Sequence, residues 1–199
     1  ARVPGYRPPM LLLLACASKE PAVADTPAAD TEPPCTPLAA MFFDLGETLA
    51  TEQEDGLFAT IPEAAALLDA LGDLPVGIIT NVPDGYTRQD LEAMLVDPSL
   101  LDRFDVVLMS SEASRPKPFK AIYQEAVALL PEETDITQTA FVTEEIGDIA
   151  EADPATRGAV GAGMIGVLVS EKADPLADYT VAPADLPSLA TAEWVECLE

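Results

Sequence analysis

Short apolar runs alternate with amphipathic stretches from residue 38 onward. The apolar runs are Ala39–Phe43 (AAMFF), Pro75–Thr80 (PVGIIT), Asp105–Met109 (DVVLM), Thr139–Thr143 (TAFVT) and Met164–Val169 (MIGVLV). Each is too short for a helix and apolar at successive positions, which predicts strands buried on both faces. The segments between them carry helical spacing. Pro62 opens a helix through Leu71 with apolar side chains at 64, 67, 68 and 71, and its missing N–H costs nothing in a first turn. Tyr86–Val96 reads as a second helix and Pro118–Leu130 (PFKAIYQEAVALL) as a strongly periodic third. Strands separated by helix-length segments predict an α/β domain over 38–199, a Rossmann-like three-layer sandwich around a mostly parallel sheet.

Ligands of such sheets sit beyond the C-terminal ends of the strands. This directs attention to Asp44, Thr80, Ser110 and the residues from Thr143 onward.

The first 37 residues follow a different pattern. Arg2 and Arg7 precede the apolar run Met10–Ala15 and then Cys16. Residues 13–16, Leu-Leu-Ala-Cys, resemble the lipobox of bacterial lipoprotein signal peptides. That resemblance implies a signal segment over 1–16, lipidation at Cys16 and an exported protein held at a membrane by a lipid rather than a span. The location would be periplasmic or on the cell surface; without a signal it would be cytoplasmic. Residues 17–37, rich in Ala, Pro, Thr and acids, read as a disordered tether. With Cys16 lipidated, Cys35 and Cys197 remain. They are candidate disulfide partners in an oxidising compartment, the alternative being two free thiols.

Charge sharpens the picture. The 199 residues hold ten Lys+Arg, 35 Asp+Glu and no His, for a formal net charge of −25. A nucleic-acid surface is excluded, because phosphate-backbone affinity needs clustered cations. Ser-His-Asp and Cys-His nucleophiles and His-ligated zinc are excluded with the imidazole. Against this acidic background Arg115, Lys117 and Lys120 fall within six positions of one another.

The strand ends carry a recognisable series: Phe43-Asp44-Leu45-Gly46-Glu47-Thr48-Leu49, then Thr80-Asn81, then Ser110-Ser111 with Arg115-Pro116-Lys117-Pro118, then Thr143-Glu144-Glu145 with Asp148. In order and spacing it resembles the four motifs of the haloacid dehalogenase (HAD) superfamily, over about residues 38–190. Ser110–Ala126 is close to the usual third-motif helix, and Ala177-Asp178-Tyr179 with Leu186-Pro187 resembles the closing strand and helix. The resemblance implies a phosphatase-type hydrolase in which Asp44 is the nucleophile and forms an aspartyl-phosphate. It implies that Thr80, Asn81 and Lys117 bind the phosphoryl group, with Thr80 and Lys117 serving catalysis beside Asp44. Mg2+ would be the cofactor, held by Asp44, the Gly46 carbonyl, Glu144 and Asp148, with Glu145 a further candidate.

Two departures from the family pattern stand out. The general acid/base Asp of the phosphatases falls at Gly46, which has no side chain, and the Gly-Asp that opens motif four is Thr143-Glu144. Loss of a general acid removes a factor of about 10²–10⁴. Two readings follow: a Mg2+-dependent hydrolase of reduced activity, or a degenerate domain that binds a phosphorylated ligand or a protein partner. About 30 residues separate motifs one and two, room for a single helix and a minimal cap. In this family such an open site is associated with bulky or protein-borne substrates.

Overall fold

Six strands lie parallel in one sheet whose middle is the first predicted strand. The computed structural model describes residues 37–130, 133–150 and 157–192. Within them, in chain order, are β1 (Ala40–Phe43), β2 (Ala50–Glu52), β3 (Phe58–Thr60), α1 (Pro62–Ala70), β4 (Val76–Thr80), α2 (Arg88–Ala93), β5 (Val106–Met109), α3 (Lys120–Ala128), β6 (Thr139–Thr143), α4 (Ile146–Ile149), α5 (Ala159–Ala162), β7 (Ile165–Val169) and β8 (Tyr179–Val181). Short 3-10 segments cover Pro98–Arg103, Ile136–Gln138 and Pro183–Thr191. Cys16, Cys35 and Cys197, with the signal and tether assigned to 1–37, lie outside the described residues apart from residue 37. No helix among the described residues is long and apolar enough to cross a membrane.

The sheet order is β5-β4-β1-β6-β7-β8, and every pairing in it is parallel. All five predicted strands are present; β1, β4, β5 and β7 begin one residue later than the apolar runs suggest, and β6 keeps the bounds of its run. Alternation along each strand divides the core in two. Met41 and Phe43 face Leu67 and Leu68 of α1, Leu91 of α2, and Leu186 and Leu189. Ala40 and Phe42 face the opposite layer, built from Ile122, Tyr123 and Ala126 of α3 and Ala159 of α5. The architecture is therefore the expected three-layer α/β sandwich.

Local chemistry explains where the helices differ from their sequence periodicity. α2 starts at Arg88 rather than Tyr86 because Thr87 and Asp90 form a capping box, each side chain accepting the other's backbone N–H. At its far end the chain is taken over by the β2–β3 hairpin. Phe58 N donates to Met94 O at 2.8 Å and Val96 N to Phe58 O at 2.9 Å. α3 begins at Lys120 rather than Pro118. The preceding backbone is committed elsewhere, with Gly158 N donating to Pro118 O and Lys117 N to the Asn81 side chain. Between β1 and β4 the chain makes the hairpin and α1. The hairpin was not visible in the sequence pattern, since two strands of three residues leave no usable period.

Candidate functional site

Because β1 lies centrally between β4 and β6, the ends of these strands meet at one rim of the sheet. Asp44 continues β1 by one residue, its N–H donating to Val142 O of β6 at 2.9 Å. Its carboxylate is held at both oxygens: Leu45 N donates to Oδ1 at 2.7 Å, and Lys117 Nζ lies 2.8 Å from Oδ2.

Lys117 has a second carboxylate partner. Its ammonium also sits 2.7 Å from Asp148 Oδ2, so one cation bridges two acids. The side chain is buried, 2% exposed, and its Nζ stands 5.3 Å from the centre of the Phe141 ring, a favourable cation–π distance. Asn81 holds the Lys117 main chain, accepting Lys117 N–H at 2.9 Å and donating from Nδ2 to Lys117 O at 3.2 Å. The Asn81 side chain, expected to bind phosphate, is thus engaged in placing Lys117. Thr80 is buried at the end of β4, beside β1.

Asp148 stands in the one-turn helix α4. Its carbonyl accepts the Tyr123 hydroxyl at 2.7 Å in a buried hydrogen bond. Burial pushes the Asp148 carboxyl up from its ordinary value, Lys117 pulls it down, and the charges of Asp44 and Glu145 push it up again. Burial is the largest of these influences, and the net direction is upward.

Glu144, just past β6, is bonded twice to Thr48. Its N–H donates to Thr48 Oγ1 at 3.2 Å, and that hydroxyl donates to Glu144 Oε2. Burial is again the main influence on the carboxyl and raises it; the Thr48 bond and Lys117 act in the opposite direction. Glu145 turns to cap α4, accepting Gly147 N at 3.2 Å.

Thr48, Tyr123 and Phe141 escaped the sequence reading. Each looks like an ordinary core residue, and their partners lie up to 96 positions away. The other two cations of the sequence cluster are not paired with Asp44. Arg115 stacks over the Phe119 ring at 5.6 Å, with Arg157 over the same ring at 4.8 Å, and Lys120 opens α3.

The departures from the family pattern have structural form. A Cβ built at Gly46 would find one neighbour within 4 Å, Phe58 Cε1 at 4.0 Å, so the site has room for a side chain that it lacks. Glu47 does not replace it. This residue has φ +52°, and its carboxylate accepts the Thr51 hydroxyl at 3.0 Å on the exposed hairpin side. Next to Gly46 is a cavity of about 100 Å³, lined by Leu45, Phe58 and Leu91 together with Thr80, Asn81, Val82, Met94 and Leu95.

Asp44 and Asp148 share one ammonium, and the charges of Asp44 and Lys117 also act on Glu144. Hard carboxylate oxygens with surplus negative charge are the donor chemistry that suits Mg2+. As they stand, no three acidic side chains among the described residues are gathered around a common point.

No protein-family model matches the chain, and no curated protein matches it. Solved structures do. A HAD-superfamily hydrolase from Ehrlichia chaffeensis aligns with TM-score 0.60 at 14% identity, over 80% of this chain and 98% of that one. The protein CbbY from Rhodobacter sphaeroides, solved in complex with phosphate, aligns with TM-score 0.55 at 14% identity, over 75% and 96%. The HAD-type protein YfnB from Bacillus subtilis, bound to magnesium, aligns with TM-score 0.51 at 17% identity, over 66% and 55%. The chain has the fold of HAD-superfamily hydrolases.

Proposed function

We propose that this protein is a HAD-type hydrolase that cleaves a phosphorylated substrate through an aspartyl-phosphate at Asp44. The observation that carries this reading is the Lys117 ammonium held between Asp44 and Asp148 at the tip of the central strand. A buried cation there offsets charge on the nucleophile and on an arriving phosphoryl group. Each Asp44 oxygen accepts one bond and retains a lone pair, so the carboxylate attacks without a base. Thr80 and the backbone amides at the ends of β1 and β4 would hold the phosphoryl oxygens.

Asp44, Glu144, Asp148 and the Gly46 carbonyl are the residues that would hold Mg2+. When bound, that ion supplies Lewis-acid stabilisation of phosphoryl charge. The phosphate-bound and magnesium-bound structures sharing this fold support the assignment. The molecule's net charge of −25 opposes the approach of any phosphate dianion, so kcat/KM is expected to rise with ionic strength.

The test is phosphate release from acetyl phosphate by the full chain, with and without Mg2+, beside Asp44→Asn. Release no faster than that of the variant at every Mg2+ concentration would refute the hydrolase. For location, the Arg2/Arg7, Met10–Ala15 and Cys16 pattern supports a lipid-tethered protein. Labelled palmitate should enter the chain expressed in bacteria and be absent from Cys16→Ser; equal labelling of the two would exclude the anchor.

A further inference from the structure

We infer that the substrate is a small acyl phosphate, a phosphoryl group carried on a short apolar carboxylic acid. This rests on the aspartyl-phosphate reading above and adds the leaving group to it.

The first observation is that on the Gly46 side, where the resemblance places the leaving group, no acid among the described residues lines the cavity. Position 46 is glycine, and Glu47 points its carboxylate to Thr51. The cavity beside Gly46 is walled by Phe58 from the hairpin and by Leu91, Met94 and Leu95 from α2 and its end, and none of its lining residues carries an ionisable side chain. An alkoxide leaving group is strongly basic and needs a proton as its bond to phosphorus breaks; a positioned acid supplies about 10²–10⁴ in rate for this. A carboxylate leaving group has a conjugate acid near pKa ~4 and departs unprotonated. The chemistry left to the site is therefore transfer from a weakly basic leaving group.

The second observation is size and polarity. A water occupies about 30 Å³ of liquid and an apolar cavity of about 150 Å³ accepts benzene. The ≈100 Å³ here suits a chain of roughly two to four carbons and excludes an aromatic ring. Its polar wall residues, Thr80 and Asn81, belong to the end of β4, beside the strand that carries Asp44. The hairpin is fastened beside it through the two Phe58 backbone bonds to the end of α2.

In the reaction an Asp44 oxygen attacks phosphorus and the P–O bond to the acyl carboxyl breaks. Its electron pair leaves on the carboxylate, and no proton moves. Water then attacks the phosphorus of the aspartyl-phosphate and the Asp44 carboxylate departs with its electron pair. One proton of the water stays on hydrogen phosphate and the other goes to solvent.

The experiment compares initial rates of phosphate release by the full chain from acetyl, propionyl, butyryl and benzoyl phosphate beside ethyl and propyl phosphate. Asp44→Asn serves as the blank for spontaneous hydrolysis. The two- to four-carbon acyl phosphates should be turned over at least ~10²-fold faster in kcat/KM than the alkyl esters, the share a missing acid accounts for. Benzoyl phosphate should trail propionyl phosphate at least tenfold in kcat/KM. Gly46→Asp should raise the alkyl rates by about 10²-fold; the series on the unaltered chain decides the matter should that variant fold poorly. Alkyl phosphates cleaved as fast as acyl phosphates would overturn the acyl assignment while leaving Asp44 chemistry standing. Benzoyl phosphate matching propionyl phosphate would overturn the small apolar niche. Absence of Asp44-dependent release from every compound would overturn both the inference and the reading beneath it.

Discussion

Asn81 and Lys117 are joined by two reciprocal hydrogen bonds, Lys117 N–H to Asn81 Oδ1 at 2.9 Å and Asn81 Nδ2 to Lys117 O at 3.2 Å. The side chain at the tip of β4 thereby reads both polar groups of one distant residue. It fixes the backbone from which the ammonium reaches Asp44 and Asp148. A flexible four-carbon stem holds one geometry only when its root is fixed and its length is packed, and Phe141 supplies the packing.

Asn81→Ala should therefore cost about 1–3 kcal/mol, two hydrogen bonds at about 0.5–1.5 kcal/mol each. Phosphate release should fall with it. Asn81→Asp keeps the acceptor for Lys117 N–H and loses the donor, so its stability should lie between the two. Urea unfolding checks both; an alanine variant as stable as the wild type would show that Asn81 does not position Lys117.

Removing the ammonium leaves two carboxylates facing each other without a cation. Lys117→Met should destabilise by about 3–5 kcal/mol, the usual cost of breaking a buried pair from one side, and should abolish turnover. Adding Asp148→Asn should return part of the stability and none of the activity. A double variant no more stable than Lys117→Met in urea would mean that repulsion between Asp44 and Asp148 is not the cause.

Burial raises the carboxyls of Glu144 and Asp148 in the folded chain. Between their ordinary and raised values the folded state binds more protons than the unfolded one, so these groups oppose folding increasingly as pH rises through that window. Above it the penalty is complete. Glu144→Gln keeps an acceptor for the Thr48 hydroxyl and removes the charge. At neutral pH it should raise Tm, by about 2–4 °C per kcal/mol relieved, with a smaller gain in mild acid. Mg2+ should raise the wild-type Tm and that of Glu144→Gln less, since binding to the folded state alone stabilises it. Thermal scans across pH with Mg2+ or EDTA test this, and an equal metal response in both proteins would remove Glu144 from the ligand set.

Gly77 is paired with Phe42 across β4 and β1. A Cβ at position 77 would sit 2.5 Å from the Phe42 ring atoms and 3.3 Å from Val106 Cβ, between the two strands that flank it. Gly77→Ala should cost about 1–3 kcal/mol through overpacking, with a fall in Asp44-dependent turnover as the β1 tip shifts. Adding Phe42→Leu should recover part of that cost. Calorimetry of the two variants is the measurement.

By itself the sequence determined the sheet and the reactive strand ends. Five continuous apolar runs, each ending in or followed at once by a polar residue, fit strands covered on both faces. In such a sheet Asp44, Thr80 and Thr143 fall at one rim because the chain direction is shared. The helix at 62–71 was equally legible, since its apolar residues at 64, 67, 68 and 71 are all buried. These are local patterns, and burial of a periodic face is a local demand.

What only the tertiary structure decided is which side chains serve others. Nothing in the run Thr80-Asn81 tells a phosphate ligand from a positioning residue; the two functions part only when Lys117, 36 residues on, is brought alongside. Thr48 meets Glu144 across 96 residues, and Tyr123 meets the Asp148 carbonyl across 25. The cavity beside Gly46 arises from four separate segments, 45–46, 58, 80–82 and 91–95. Glycine at position 46 was plain in the sequence as a missing acid. That the vacated side opens on a niche with no acid among its described lining residues followed from the hairpin pairing with the end of α2, a long-range contact that no local period records.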